Sequence, residues 1–253
     1  MQWTGNTILV TGGGSGIGRG LAEGLHKLGN QVIIAGRRKD LLAEVAAANP
    51  GMQSLSFDAQ DAASIRSLAR QAAAEFPALN VLLNNAGIMR AERLLAQPED
   101  LADAEAIVAT NLLAPIRLTA ALLPHLQKQQ SAAIMNVSSG LAFVPLSVTP
   151  TYCATKAAIH SYTESLRYQL RGSSIEVFEL IPPYVQTDLM NGAEDSRAMP
   201  LRDYLDEVFS ILQQTPTPQE ICVERVKEMR LAAERGLYTE IFEKRNLALA
   251  DRK

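Results

Sequence analysis

The amino-acid sequence predicts an α/β fold: a single doubly wound domain built on a parallel sheet of six to seven strands. Short apolar segments alternate with longer helical segments, which is the order of repeated strand–helix units. The apolar segments are continuous rather than alternating, as expected when helices cover both faces of a parallel sheet. The chain shows no internal repeat and no low-complexity linker, so we expect one domain over residues 1–253.

The apolar and helical segments give the element order in turn. Strands are predicted at 6–10, 31–35, 52–57, 80–84, 132–138 and 174–181. Helices are predicted between them, at about 16–28, 38–48, 61–75, 98–128 and 151–171. After residue 181 the pattern changes. Residues 182–215 begin with a long stretch punctuated by Pro and Gly, which predicts a substrate lid, and residues 216–253 predict a helical tail.

Composition and charge argue against several classes of protein. Hydrophobic residues make up 47% and charged residues 20%, as in ordinary globular chains. A net charge of −3 gives no electrostatic reason to expect nucleic acid or an anionic membrane as a partner. Polar and charged residues interrupt the apolar segment 107–126, so it is not predicted to span a membrane. Cys153 and Cys222 are too few for a disulfide framework or a zinc site, and no metal is predicted. The N-terminus lacks a signal-peptide pattern, and we expect a cytoplasmic protein.

A glycine-rich turn, "TGGGSGIG", follows the first predicted strand and opens the first helix. Such a turn lets a phosphate approach the backbone, where the helix N-terminus offers N–H donors and a positive dipole. The spacing of Gly12, Gly16 and Gly18 differs from the G-x-G-x-x-G fingerprint. The alternative interpretation is a tight turn without a ligand.

Tyr152 and Lys156 lie four residues apart in a predicted helix, on the same face. The phenol of a free tyrosine has a pKa near 10, and lowering it by about three units takes roughly 4 kcal/mol. A cation about 4 Å away, at an effective dielectric constant of about 20, supplies on the order of 4 kcal/mol. The pair therefore predicts an acid–base site if water is partly excluded. On an open surface it would be an ordinary pair of little effect.

Several short motifs occur together with this pair. They are "TGGGSGIG", "NNAG" at 84–87, Asn111, "SSG" at 138–140 and Tyr152-x-x-x-Lys156. In their order and spacing they resemble the signatures of the short-chain dehydrogenase/reductase family, over about residues 5–190. The resemblance implies a Rossmann-type fold and an oxidoreductase that uses a nicotinamide cofactor.

The resemblance also implies roles for four catalytic residues. Tyr152 is expected to be the general acid/base, with Ser139 holding the substrate oxygen. Lys156 is expected to lower the pKa of Tyr152 and to bind the nicotinamide ribose. Asn111 is expected to interrupt its helix and anchor a water molecule that leads to Lys156. For Asn111 the alternative is an internally satisfied polar side chain.

A wider set of cofactor contacts follows from the same resemblance. The expected contacts are Gly12, Ser15, Gly16, Ile17, Gly18, Arg37, Asp58, Asn85, Ala86, Gly87, Tyr152, Lys156 and Thr187. Asp58 would contact the adenine; alternatively, it only begins a helix.

Arg37 is the residue that indicates NADP(H) rather than NAD(H). An acidic residue at the end of the second strand accepts bonds from a ribose 2′-hydroxyl, whereas an arginine suits a 2′-phosphate. Arg37 stands at about this place, and no carboxylate occurs before Asp40. The alternative is that Arg37 and Arg38 only solvate a helix start, where basic residues are slightly unfavourable.

The C-terminal part departs from the common family pattern. Residues 236–253 offer no strand, and Pro183 stands where a glycine is usual. The stretch "IPPYVQTDL" is similar to a subgroup named after DltE. The resemblance further implies a homodimer or homotetramer, formed through the helices at 98–128 and 151–171.

Together these features predict an enzyme that reduces a ketone or aldehyde with NADPH, or runs the reverse alcohol oxidation on a small molecule. One alternative is a non-catalytic NADP(H)-binding sensor or scaffold. Another is an epimerase or dehydratase that recycles its cofactor. His26, His125 and His160 have no ligand spacing, and none of them is assigned a role.

Overall fold

The computed structural model describes residues 1–96, 100–189 and 195–250, without the side chains of 248–250. Within these ranges one parallel sheet of seven strands has the order β3-β2-β1-β4-β5-β6-β7. The strands are β1 (Thr7–Thr11), β2 (Gln31–Gly36), β3 (Gln53–Ser56), β4 (Leu79–Asn84), β5 (Ala132–Val137), β6 (Ile175–Ile181) and β7 (Glu220–Cys222). The predicted Rossmann-type α/β fold and single domain are confirmed.

Helices cover both faces of this sheet. They are α1 (Gly16–Lys27), α2 (Lys39–Ala48), α3 (Ala62–Glu75), α4 (Ala102–Val108), α5 (Ala114–Leu126), α6 (Pro150–Gln169), α7 (Leu201–Leu212), α8 (Lys227–Arg230) and α9 (Tyr238–Ala250). One buried apolar layer joins the sheet to α1, α2 and α7, and a second joins it to α3, α5 and α6. The five inner strands β1, β2, β4, β5 and β6 are buried on both sides, which explains their mainly apolar sequences. The edge strand β3 buries only Leu55.

The strand order reverses between β1 and β4. Strand β1 has β2 on one side and β4 on the other, so the connections leave the sheet in opposite directions. In open sheets of this kind, ligands bind in the crevice at the carboxyl ends of the strands beside the reversal. The turn after β1 and the segment after β4 therefore frame the expected site.

The seventh strand, which the prediction of six to seven strands allows, lies inside the segment 216–253, where a helical tail is expected. Residues Glu220–Cys222 pair with β6, while α9 confirms that the end of the segment is helical. Three residues are too few to give a recognisable pattern in the sequence. The helix predicted at 98–128 begins at Ala102 in the structure, and residues 97–99 lie outside the described ranges.

Part of the predicted lid is a packed helix. Helix α7 lies on α1 at two glycines: a Cβ atom added at Gly20 would be 2.3 Å from Leu205, and one at Gly24 would be 2.2 Å from Phe209. The missing side chains thus allow close approach of the two helices. The lid role of 182–215 stays a prediction, and residues 190–194 lie outside the described ranges.

The segment Ala102–Leu126 is long and apolar enough to cross a membrane, judged by length and composition alone. Core helices of soluble proteins meet the same criterion. Leu118, Leu122 and Leu126 of this segment are buried in the apolar layer that joins α3, α5 and α6 to the sheet. The apolar face of α5 is therefore occupied by the protein's own core.

A row of polar side chains crosses the sheet near the carboxyl ends of its strands. Asn84, Asn136, Glu179 and Glu220 are in register on β4, β5, β6 and β7. Asn136 is fully buried; its Oδ1 accepts a bond from Asn84 at 2.9 Å, and its Nδ2 donates to Thr163 of α6 at 2.9 Å. The row thus ties α6 to two strands.

We predict that Asn136→Ala lowers the free energy of unfolding by about 1–3 kcal/mol, because Asn84 and Thr163 lose a buried partner. Urea unfolding at equal protein concentration measures the change. Gln71→Ala is the control, since Gln71 makes its side-chain bond on the exposed surface of α3. Equal stability of the two variants would contradict the prediction.

Candidate active site

The glycine turn between β1 and α1 is locked against the segment that follows β4. The Asn85 side chain donates to the carbonyl oxygen of Thr11 at 3.0 Å, and the Thr11 hydroxyl accepts from the backbone N–H groups of Asn85 and Ala86. A Cβ atom at Gly18 would lie 2.3 Å from both the Gly12 carbonyl oxygen and Asn85 Nδ2. Glycine at this position is therefore required by the contact between the two segments.

The N-terminus of α1 has the features of a phosphate site. Ser15 precedes the helix and makes no side-chain cap, which leaves the N–H groups of the first turn available to a ligand. Gly16 has φ of +53°, a left-handed conformation that glycine adopts without strain. Thr187, from the loop after β6, lies 3.3 Å from where a Cβ atom of Gly16 would be. Thr187 and the glycine turn are thus adjacent, and these residues fit a dinucleotide phosphate.

Two arginines stand at the end of β2, next to this turn. The Arg38 guanidinium donates to the Ser15 hydroxyl at 2.6 Å, whereas Arg37 is exposed. Asp58 follows β3, and its Oδ1 accepts a bond from the N–H of Gln60 at 2.9 Å. One Asp58 oxygen is therefore used in a local turn, whereas Asp61 is the residue that begins α3. The adenine contact of Asp58 stays a prediction.

Ser139 and Tyr152 come together at the carboxyl end of β5. Ser139 begins a short 3₁₀ turn, Gly140–Ala142, and its Oγ accepts from the N–H of Leu141 at 3.1 Å. This bond orients the hydroxyl, and the nearby Ser139 side chain lowers the pKa of the Tyr152 phenol. Tyr152 lies in the first turn of α6, and both side chains are less than a tenth exposed.

Lys156 follows Tyr152 by one helical turn and is buried, with 5% of its surface exposed. Its ammonium donates to the carbonyl oxygen of Val137 at 2.8 Å and lies 5.6 Å from the centre of the Tyr152 ring. Burial lowers the pKa of Lys156 to about 8, and the charge of Glu179 acts in the opposite direction. Near neutral pH the ammonium is therefore still mainly charged. The pair is buried, so the surface-pair interpretation is wrong.

The expected lowering of the Tyr152 pKa is not found in this structure. Burial raises the pKa of the Tyr152 phenol well above its usual value, and the bond from Ser139 offsets part of the rise. Lys156 is not among the causes of the shift. The sequence-based estimate assumed a cation close to the phenol and left out the desolvation of the phenolate, which dominates in a buried site.

Asn111 lies within a π-helical segment, Ala109–Leu113, that interrupts the rod formed by α4 and α5. Its amide accepts from the N–H of Ile88 at 2.9 Å and donates to the Ile88 carbonyl oxygen at 2.8 Å. The Asn111 side chain therefore fixes the backbone directly after Gly87. The helix is interrupted where the family pattern implies, and the role in holding a water molecule stays a prediction.

A pair of charged side chains beside Lys156, those of His160 and Glu179, was not predicted from the sequence. His160 Nδ1 lies 2.8 Å from Glu179 Oε2, and Glu179 is fully buried. The two residues are distant in sequence. Only two features could have indicated a contact: His160 stands one helical turn after Lys156 on α6, and Glu179 stands on β6.

An apolar cavity of about 380 Å³ lies near this site. Leu141, Leu146, Cys153 and Phe242 are among its lining residues. Neither Ser139 nor Tyr152 lines it, so we do not identify it as the substrate pocket.

The fold and these groups define a short-chain dehydrogenase/reductase, and comparison with known proteins agrees. The family model for short chain dehydrogenases matches residues 6–198. The chain belongs to this family and is an oxidoreductase of it.

Individual relatives show which members of the family this chain resembles. The chain is 42% identical over 251 residues to the uncharacterized oxidoreductase DltE of Bacillus subtilis (strain 168), across 97% of this chain and 98% of DltE. This confirms the resemblance to the DltE subgroup. A short chain dehydrogenase from Burkholderia cenocepacia J2315, solved in complex with NADP, has a TM-score of 0.82 at 26% identity, across 96% of this chain and 99% of that one. A Burkholderia phymatum relative in complex with NAD has a TM-score of 0.81 at 23% identity, across 97% of each chain.

We predict that Lys156→Met changes how stability depends on pH. In the parent, the folded state releases the Lys156 proton at a lower pH than the unfolded state. Unfolding therefore takes up protons from pH about 8 to pH about 10.5, and the parent gains stability across this window. The variant lacks the gain, so its stability relative to the parent should fall by roughly 3 kcal/mol as pH rises through the window.

Urea unfolding at several pH values measures this difference. Lys128→Met removes an exposed lysine from the end of α5 and serves as the control. A parallel pH dependence for the parent and Lys156→Met would show that Lys156 does not titrate as a buried group.

Proposed function

We propose that the protein is an NADP(H)-dependent oxidoreductase that reduces a ketone or aldehyde to an alcohol, or catalyses the reverse reaction, with Tyr152 as general acid/base. The observation that carries the proposal is the joint burial of Ser139, Tyr152 and Lys156, with the Lys156 ammonium 5.6 Å from the centre of the Tyr152 ring. All three groups stand at the carboxyl edge of the sheet, where the glycine turn also lies.

The chemistry divides between cofactor and protein. A bound nicotinamide cofactor supplies the hydride that the carbonyl carbon receives. Tyr152 holds a proton on its phenolic oxygen and delivers it to the carbonyl oxygen, so that an alcohol forms. Ser139 donates to the same oxygen and fixes its position. Burial raises the pKa of Tyr152, which keeps the phenol protonated at rest.

The preference for NADP(H) over NAD(H) rests on the two arginines after β2. Arg38 is held against Ser15 at the glycine turn, and the exposed Arg37 is free to meet a 2′-phosphate. The Burkholderia cenocepacia relative is in complex with NADP, in line with this preference. The relative in complex with NAD is under a quarter identical and speaks only to the fold.

One other function is disfavoured by a particular observation. A sensor or scaffold would not need Ser139, Tyr152 and Lys156 to be buried together.

The proposal includes self-association as a homodimer or homotetramer. Helix α6 exposes the small side chains of Ala154, Ala157 and Ser161, a surface on which a second copy of the helix could pack closely.

We predict that the protein binds NADPH more tightly than NADH and that Arg37→Asp reverses the order. Charge-assisted hydrogen bonds contribute roughly 1.5–3 kcal/mol, so their loss should weaken NADPH binding about ten- to a hundredfold. Nucleotide titration followed by fluorescence measures both affinities. Lys39→Asp makes the same change of charge two positions further on and should have a smaller effect. Equal affinity of the parent for the two cofactors would argue against the assignment of Arg37.

We predict that Tyr152→Phe lowers turnover by about 10²–10⁴-fold or more, the usual contribution of a general acid, while NADPH affinity stays within about a fewfold. A screen of carbonyl compounds, followed at the nicotinamide absorbance, identifies a substrate and then measures the loss. Tyr168→Phe, an exposed tyrosine on the same helix, is the control. Full activity of Tyr152→Phe would rule out the acid role, and a parent that binds NADPH but turns over nothing in the screen would favour the sensor.

A further inference from the structure

A chain of charged side chains begins next to Lys156 and leads away from the candidate active site. His160 lies one helical turn after Lys156 on α6, and its Nδ1 contacts Glu179 of β6 at 2.8 Å. Glu220 of β7 is in register with Glu179, and Arg230 of α8 bonds both Glu220 oxygens at 2.7 and 3.0 Å. None of these four residues has a role in the proposed chemistry.

Glu179 is the unusual member of this chain because it is a fully buried carboxylate. One of its oxygens is paired with His160, while Oε1 has no hydrogen-bond partner among the described residues. A buried charge without compensation is costly, so a carboxylate at this position needs positive charge nearby. Glu220 already has Arg230, which leaves Glu179 to be compensated by His160 and Lys156.

The backbone brings Glu179 close to Lys156. The Lys156 ammonium donates to the carbonyl oxygen of Val137 on β5. Asn136, the preceding residue, is the in-register partner of Glu179 on β6. Neighbouring strands are about 4.8 Å apart, so the ammonium and the carboxylate share one end of the β5–β6 pair, on the side covered by α6.

The charges around the two groups are consistent with a mutual effect. Burial lowers the pKa of Lys156, and Glu179 is the one charged group that raises it. Glu179 in turn raises the pKa of His160, mainly through their hydrogen bond. Other titratable and charged groups surround Lys156 and Glu179. They are Tyr152, His160 and Glu164 on α6, Glu220 and Cys222 on β7, and Arg230 on α8.

We propose that Glu179, held in place by His160, is a positioning residue that keeps the buried Lys156 ammonium charged and seated beside Tyr152. Glu179 does not touch the reacting atoms and acts through Lys156. The inference rests on the proposed function, because it assigns Glu179 a part in the same reaction.

Lys156 needs a carboxylate partner because two requirements on its ammonium oppose each other. The ammonium must be buried to act on Tyr152 and the cofactor, but burial favours its neutral form. A buried carboxylate on the far side resolves the conflict without occupying the cleft. His160 is only partly buried and orients that carboxylate from the solvent side.

The test measures the titration of Lys156 directly, by NMR of protein with ¹³C-labelled lysine, with the signal assigned through Lys156→Arg. In Glu179→Gln, which keeps the shape but not the charge, Lys156 should titrate lower than in the parent by about 1 pH unit or more. Glu164→Gln removes the exposed carboxylate 3.7 Å from His160 and should leave the titration unchanged.

A second pair of variants decides the matter if Glu179→Gln fails to fold. His160→Leu removes the side chain that holds Glu179 in place, so the carboxylate is less well positioned against Lys156 and Lys156 titrates lower. His160→Gln supplies a neutral donor and should recover part of the parent value. An unchanged Lys156 titration in Glu179→Gln, or in His160→Leu if only that variant folds, would overturn the proposal.

The pH dependence of NADPH binding and of turnover completes the experiment. NADPH binding and turnover both need the charged Lys156 ammonium, so they should be lost as pH rises above the pKa of Lys156. In Glu179→Gln this loss should occur at lower pH than in the parent. The NMR titration needs neither substrate nor cofactor. If Lys156 titrates lower in Glu179→Gln but the parent shows no turnover, the role of Glu179 is supported and the proposed reductase is not. If the parent shows turnover but Glu179→Gln leaves the Lys156 titration unchanged, the proposed reductase is supported and the role of Glu179 is overturned.

Discussion

The seating of α6 on the sheet is the constraint on which the candidate site depends. Apolar burial holds the helix down but is not directional. Its position along and around its axis is fixed by polar contacts: Lys156 with the Val137 carbonyl, Thr163 with Asn136, and Arg167 with the Val177 carbonyl at 3.0 Å. Tyr152 lies in the first turn of the same helix, so these contacts also set its position relative to Ser139.

The second half of the site depends on a steric constraint. The glycine turn after β1 and the segment after β4 approach so closely that no side chain fits at Gly18. Asn85 then uses its amide to join the two segments. The groups that we expect to bind the cofactor come from strands that are distant in sequence. They are in this way held together at the place where the strand order reverses.

Much of this could be predicted from the sequence. Five of the strands have mainly apolar sequences because both of their faces are buried. The glycine turn, Asn85, Ser139, Tyr152 and Lys156 belong to short motifs with fixed spacing. Strand β7 could not be predicted because three residues carry no periodic signal. The contact of His160 with Glu179 was also out of reach, since it depends on how α6 is rotated over β6. The predicted lowering of the Tyr152 pKa was wrong because burial raises it. Desolvation depends on three-dimensional burial, which a spacing of four residues does not reveal.

The polar row across the sheet has a consequence for folding as well as for the site. Side chains alternate between the two faces of a strand, so a slip of one residue in the pairing of β5 or β6 would turn Asn136 or Glu179 into the opposite apolar layer. There each would lose its partner on α6 and leave a buried polar group unsatisfied. Apolar strands such as these could otherwise pair in several offsets at similar cost. The row therefore discriminates against misaligned sheets, and it selects the alignment in which Ser139 and the loop after β6 emerge at the same edge.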